Sequence, residues 1–112
     1  MRLIVPLTPF VLVLNPLFPM HIGVLQLDLS IPSALTLKDK RRVILSLKDR
    51  IANSHNVSVA EVDRLDEYQR SIFGIAMVSN DKRYVDGGIS KILDLVRATN
   101  DVTLLDHQIE FL

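Results

Sequence analysis

The sequence contains no cysteine, which excludes a disulfide framework, a cysteine-based zinc site and a thiol nucleophile. It also lacks the Walker loop, the GxGxxG turn, the GxSxG elbow and the HExxH helix that mark nucleotide-binding proteins, serine hydrolases and zinc proteases. Neither sign of charge is in excess, because 13 Lys and Arg are balanced by 13 Asp and Glu. That balance excludes a wholly basic nucleic-acid wrapper, although a local basic patch is still compatible with it.

The composition is that of a folded domain. Of the 112 residues, 48% are apolar and 23% are charged, so we expect a globular core and not disorder. The length is enough for one domain. Residue chemistry alone therefore indicates a small soluble α+β domain and assigns it no activity. The location that we expect for it is the cytoplasm.

Residues 1–19 differ from the rest of the chain. They hold four of the five prolines, Arg2 is their only charge, and all acidic residues come after Met20. Proline removes a backbone donor and disrupts a helix interior, which argues against a membrane span here. The composition predicts an apolar, proline-rich N-terminal extension at 1–19 outside a core domain at 20–112. A secretory signal or anchor, and a translated leader ahead of a true start at Met20, are the alternatives.

The first half of the domain is predicted to be a strand followed by a helix. Apolar and polar residues alternate over 21–30, which is the period-two pattern of a half-buried strand. Thr36 is a candidate N-cap with Asp39 three residues later, and a helix follows to about Asn53. Its apolar stripe consists of Leu37, Val43, Ile44, Leu47 and Ile51.

The second half repeats the alternation of strand and helix. We predict a short strand at 57–63, a strand apolar on both faces at 70–79, a helix at about 82–98 and a last strand at 102–112. Gly87 and Gly88 lie inside the second helix and predict loose or kinked first turns. Leu105, Ile109 and Phe111 are predicted to share one face of the last strand.

The order βαββαβ predicts a ferredoxin-like α+β sandwich, in which an antiparallel four-stranded sheet carries both helices on one face. Strands one and three would be central and strands two and four would be edges. The other face of the sheet would carry no helix and would expose Ile22 and Val24 beside one row of strand three. That apolar patch is a candidate surface for a homodimer or another partner.

Residues 20–112 resemble the YlxP-like family of small bacterial proteins, a domain of unknown function. The resemblance is carried by three groups of segments: 20–27 with 30–32, 37–43 with 46–50, and 56–63 with 74–76 and 78–81. The resemblance implies a ferredoxin-like fold and no established catalytic activity. It also implies that the gene lies near those of translation initiation and ribosome maturation factors. A role near the ribosome or RNA is the expectation that follows.

Helix one carries the candidate binding residues. At 100° per residue, Lys38 and Arg42 stack on its outer face with Arg41 and Lys48 beside them. Clustered cations attract a nucleic-acid backbone by displacing counterions, so these four residues form a candidate phosphate-contacting patch. The alternative is an ordinary solvated helix face. Lys40 points nearer the apolar stripe and is predicted to snorkel towards water.

Two other groups of titratable residues give weaker evidence of a functional site. An acidic cluster of Glu61, Asp63, Asp66 and Glu67 is interpreted as a solvated turn, because it has no fixed ligand spacing. Three histidines, His21, His55 and His107, would lie toward one end of the sheet, with His21 and His107 about 5 Å apart on neighbouring strands. We predict no metal and no cofactor for either group.

The sequence therefore predicts a non-enzymatic binding protein. The favoured partner is ribosomal RNA or a ribosome-associated assembly, contacted through Lys38, Arg41, Arg42 and Lys48. The third strand lacks the aromatic platform of an RNA-recognition motif, so the sheet is not expected to stack bases. The alternative function is a homodimeric structural or regulatory module joined through the helix-free sheet face. A small-molecule sensor and an enzyme are less favoured.

Overall fold

A computed structural model describes residues 17–112. They form β1 (His21–Ser30), α1 (Leu37–Ser54), β2 (Val57–Asp63), β3 (Arg70–Ser79), α2 (Lys82–Arg97) and β4 (Thr103–Phe111). The strands make one antiparallel sheet in the order β2-β3-β1-β4. The predicted ferredoxin-like arrangement, with strands one and three in the centre, is confirmed. Neither helix of this part of the chain is long and apolar enough to cross a membrane.

The two central strands bury alternate side chains beneath the helices. Leu25, Leu27 and Leu29 of β1 are fully buried, and the buried Ile75 and Phe73 of β3 pair with Leu25 and Leu27. Burying each such side chain stabilises the fold by about 1.5–3 kcal/mol. Within residues 17–112 the opposite face of the sheet carries no helix, as the order βαββαβ predicts.

The start of α1 is fixed by two local hydrogen bonds. Thr36 is the N-cap, and its side chain accepts from the backbone N–H of Asp39 at 3.1 Å. The Asp39 carboxylate accepts in turn from the N–H of Leu35 at 3.0 Å. That contact is the largest cause of a pKa of Asp39 below its ordinary value. Desolvation comes second and opposes it, and the Thr36 hydroxyl and the Arg42 charge add smaller lowering effects. The predicted cap is confirmed. In a capping box the carboxylate accepts from the N–H of the N-cap residue, whereas here the Asp39 carboxylate accepts from the residue before the N-cap.

The second helix is continuous through its two glycines, contrary to the predicted loosening. Asp81 is the N-cap and accepts from the N–H of Arg83 at 2.9 Å. Gly88 is buried against β3, where an added Cβ would lie 2.5 Å from Cε of Met77. The missing side chain therefore lets α2 approach the sheet closely.

The last strand differs from its predicted pattern at one residue. Ile109 pairs with Leu25 and Phe111 with Gly23, but the register shifts between Asp28 and Leu29 of β1. This β-bulge makes Leu104 the partner of Leu29, and Leu105 is half exposed. The prediction that Leu105 shares one face of the strand with Ile109 and Phe111 is therefore wrong.

The predicted extension at 1–19 falls mostly outside the described residues. Only residues 17–19 of it are described, and Leu17 and Phe18 are exposed.

Candidate nucleic-acid interface

The four predicted contact residues lie along one helix and differ in exposure. Lys38, Arg41 and Arg42 are exposed on the outer side of α1, and Lys48 is half-buried beside them. The helix holds them in place because its opposite side is packed on the sheet through Ile44, Leu47 and Ile51. The patch is thus brought together by a single rigid element.

These cations are not tied up by internal ion pairs. Arg42 approaches Asp39 at 3.6 Å, but its side chain remains 72% exposed. A pair of that kind contributes little and leaves the guanidinium accessible. Within residues 17–112, Lys38, Arg41 and Lys48 form no salt bridge.

Charge is segregated between the two layers of the fold. The two helices hold ten of the 13 Lys and Arg residues but four of the 13 Asp and Glu residues. The helices therefore carry a net charge of +6 and the rest of the chain carries −6. This distribution gives a protein of zero net charge a cationic helical layer.

Lys40 is the exception among the cations of α1. Its side chain is 1% exposed, so the prediction that it snorkels to water is wrong. Its ammonium lies 2.8 Å from Oε2 of Glu61 and donates to the carbonyl oxygen of Arg64 at 2.7 Å. The fully buried Ser71 hydroxyl donates to the same carboxylate oxygen at 2.7 Å. The buried ion pair thus joins α1 to the β2–β3 hairpin.

The acidic cluster is divided by this network. Glu61 is 15% exposed and paired, so its interpretation as part of a solvated turn is wrong. Asp63 accepts from the backbone N–H of Arg64 at 2.7 Å, and Glu67 pairs with the Arg64 guanidinium at 3.0 Å. Arg64 has φ 60°, a conformation rare outside glycine. These contacts, with the Lys40 bond to its carbonyl, hold the turn in that conformation.

The three histidines are not brought together. His107 of β4 pairs with Leu27 of β1, six residues from His21, which is about 20 Å along a strand. His55 lies beyond the end of α1, where its ring faces Gly88. The predicted 5 Å separation of His21 and His107 is therefore wrong. No group of His, Asp and Glu side chains within residues 17–112 is arranged to hold a metal ion.

The helix-free face of the sheet is divided into an apolar part and a polar part. Ile22, Val24 and Val78 surround Ala76 at one end. At the other end Arg70 makes contacts of 2.8 and 3.0 Å with both carboxylate oxygens of Asp28. Within the described residues, β1 and β3 place no aromatic side chain on this face. The face therefore does not offer bases a stacking platform.

A polar groove that could not be predicted from the sequence lies beside the cationic patch. It has a volume of about 550 Å³ and runs between α1 and the α2–β4 connection, lined by Ser33, Asp39, Arg42, Ser46, Arg50, Thr99, Asn100 and Asp101. Arg50 crosses it and donates to Oγ1 of Thr99 at 3.0 Å. These residues lie up to 68 positions apart in the sequence, so only the tertiary fold brings them together.

Comparison with known proteins identifies relatives without an assigned activity. Residues 22–109 match the family model described as a protein of unknown function, DUF503. The Bacillus subtilis (strain 168) "Uncharacterized protein YlxP" is 33% identical over 75 residues, which cover 67% of this chain and 82% of that protein.

The solved structures that match this chain include a designed protein, which is similar in fold, and a segment of a larger protein. The de novo designed protein Foldit4 has a TM-score of 0.51 at 12% identity and covers 83% of this chain and 96% of its own. A C-terminal segment of the alpha subunit of aIF2 from Pyrococcus abyssi has a TM-score of 0.44 at 16% identity, covering 78% and 50%. Similarity at such identities concerns the fold and carries no information about function.

Proposed function

This chain belongs to the DUF503 family of proteins of unknown function, and we propose that it is a non-enzymatic cytoplasmic protein that binds ribosomal RNA or a ribosome-associated assembly. The proposed contact surface is Lys38, Arg41, Arg42 and Lys48 on α1. The observation that carries the proposal is the net charge of +6 on the helices of a protein whose net charge is zero. An anionic partner would be drawn to this layer and not to the acidic remainder.

The proposed interaction is with phosphates and has weak sequence preference. Long cationic side chains on one helix face neutralise backbone charge and release condensed counterions, which makes affinity fall steeply with salt. Base reading would need aromatic stacking or groove contacts, and the helix-free face provides no such platform. The polar groove beside Arg42 and Arg50 adds hydrogen-bonding groups next to the phosphate contacts.

The deciding experiment is co-sedimentation of the full 112-residue chain with Bacillus subtilis ribosomes at two salt concentrations. We expect association at low salt and a steep loss at high salt. Replacing Arg41 and Arg42 together by glutamine removes two cations while keeping good helix formers. Each phosphate contact contributes about 0.7–0.9 to the slope of log affinity against log salt, so this variant should lower the slope by about 1.4–1.8.

A matched control changes the same number of charges on the other helix. Arg83 and Lys91 are exposed on α2, and their double replacement by glutamine alters the net charge equally. We expect that control to leave most of the association intact. Two results would contradict binding through α1. One is ribosome association that does not change with salt concentration, and the other is an equal loss of association in the α1 variant and the α2 control.

The second candidate function is a homodimeric structural or regulatory module joined through the helix-free face. The observation that favours it is the apolar part of that face, where Val78 is half exposed next to Ile22 and Val24. This interface would be disrupted by Val24→Asp, which places a charge in its centre. Light scattering should then show a mass that falls from a dimer to 12.6 kDa; a monomer before mutation would reject it.

A further inference from the structure

The outer edge of β4 is an unpaired strand edge. β4 pairs with β1 on one side, and no strand lies on its other side within residues 17–112. From Asp106 to Phe111 it runs in unbroken register with β1. A regular edge of this length presents backbone donors and acceptors to any chain that can pair with it.

The two edges of the sheet differ in their protection. β2 is seven residues long, has a bulge between Glu61 and Asp63, and points a charged residue inward, all of which discourage pairing. On β4, by contrast, Ile109 is 38% and Phe111 46% exposed. The ammonium of Lys82 lies 5.4 Å from the Phe111 ring centroid and covers only part of it.

We infer that a second copy of this chain pairs with β4 antiparallel to it, about a two-fold axis at Ile109, to form a continuous eight-stranded sheet. In this register Ile109 meets Ile109 of the partner subunit. Gln108 lies opposite Glu110 of the partner subunit, and His107 lies opposite Phe111 of the partner subunit. No two acidic residues face each other, and the exposed apolar side chains of both edges cover one another.

The charges on β4 select this register over its neighbours. In an antiparallel pair, residues directly opposite each other point their side chains to the same face of the sheet. A two-fold axis perpendicular to the sheet keeps each residue of β4 on its own face, so the axis must lie midway between the two copies of one residue. An axis at Gln108 would set Asp106 against Glu110 of the partner subunit, and an axis at Glu110 would set that residue against its own copy. An axis at His107 would bring the bulge at Leu105 into the ladder. The axis at Ile109 avoids all three.

The absence of cysteine makes this register directly testable. Residues opposite each other in an antiparallel ladder have Cα atoms about 4.5–5.5 Å apart, within the range of a disulfide. We expect the full-length Ile109→Cys variant to form a covalent dimer under mild oxidation. The matched single variant His107→Cys should not, because its two copies would lie about 13 Å apart. Mixing His107→Cys with Phe111→Cys should give a cross-linked heterodimer.

A charge test at one position supplies a second readout that does not depend on oxidation. Gln108→Lys places a cation opposite Glu110 of the partner subunit, and Gln108→Glu places a like charge there. By sedimentation equilibrium we expect the dissociation constant to fall about five-fold in the first variant and to rise about five-fold in the second. Val24→Asp should leave it unchanged, since Val24 lies on the helix-free face and not at the edge.

Three results would overturn the inference. They are a mass of 12.6 kDa for the natural sequence even at millimolar concentration, cross-linking of His107→Cys in place of Ile109→Cys, and loss of the dimer in Val24→Asp with no effect at Gln108. The last of these would instead support a dimer through the helix-free face.

Discussion

Replacing Lys40 by methionine tests what the buried ion pair between α1 and the β2–β3 hairpin contributes to stability. Methionine keeps the length and apolar stem of lysine and removes the ammonium. The change leaves the Glu61 carboxylate with the Ser71 hydroxyl as its donor and deprives the Arg64 carbonyl of its 2.7 Å bond. Breaking a buried pair by removing one partner costs about 3–5 kcal/mol.

The two single variants should lose different amounts of unfolding free energy, because Lys40 and Glu61 differ in their exposure to water. Glu61 is 15% exposed, so its carboxylate is partly hydrated when Lys40 is gone, and we expect a loss of about 3 kcal/mol. Lys40 is 1% exposed, so Glu61→Gln leaves an ammonium that water does not reach, and we expect about 4 kcal/mol. The double variant Lys40→Met/Glu61→Met should lose less than the sum, since neither charge is then left alone.

Urea unfolding followed by far-ultraviolet circular dichroism measures these free energies, since the chain has no tryptophan to report by fluorescence. Lys91→Met is the control, because Lys91 is exposed on α2 and its loss should stay within about 0.5 kcal/mol. Single variants that lose under about 1 kcal/mol, or a double variant that loses the sum of both, would refute the argument that these charges form one buried unit.

Three further changes test single features of the fold. The interactions that lower the pKa of Asp39 stabilise the folded state at pH values above the ordinary 3.8, and this stabilisation is lost as the pH falls through the lowered pKa. Asp39→Asn should therefore reduce the loss of stability on acidification below about pH 5 in acid titrations of unfolding. Gly87→Ala should raise stability by about 0.5–1 kcal/mol in urea, because an added Cβ meets nothing within 4 Å in the middle of α2; an unchanged midpoint would contradict this. Gly23→Ala should lower the melting temperature and cost about 1–3 kcal/mol, because its Cβ would lie 2.6 Å from Cγ1 of Val85, and a neutral effect would show that α2 can shift outward.

Features set by local periodicity could be predicted from the sequence. The alternation along β1, the two-faced apolar pattern of β3 and the cap at Thr36 each depend on residues within one element, and all three are found where predicted. The outward direction of Arg41 and Arg42 follows from the same helical geometry. Their exposure could therefore be predicted, although the sequence does not identify a partner for them.

Features set by register and by distant partners could not be predicted in this way. The helical wheel turns Lys40 toward the core, but its carboxylate partner lies 21 positions away on β2, so the burial of the charge depends on how α1 sits over the hairpin. The bulge at Leu105 has no signal of its own in the sequence and removes that residue from the face that Ile109 and Phe111 share. The distance between His21 and His107 also depends on strand register, because the register of β4 on β1 decides which residues are neighbours.

The two proposals fit one geometry but stand on different elements. A two-fold axis perpendicular to the sheet would place the helices of both copies on the same side, so that their cationic layers would face one partner together. The contact residues nevertheless lie on α1, which packs against β2, and β4 is at the far edge of the sheet. Substitutions at Gln108 should therefore change the dimer without removing any cation of α1, and substitutions at Arg41 and Arg42 should change RNA association without touching the edge. Either proposal can fail while the other holds.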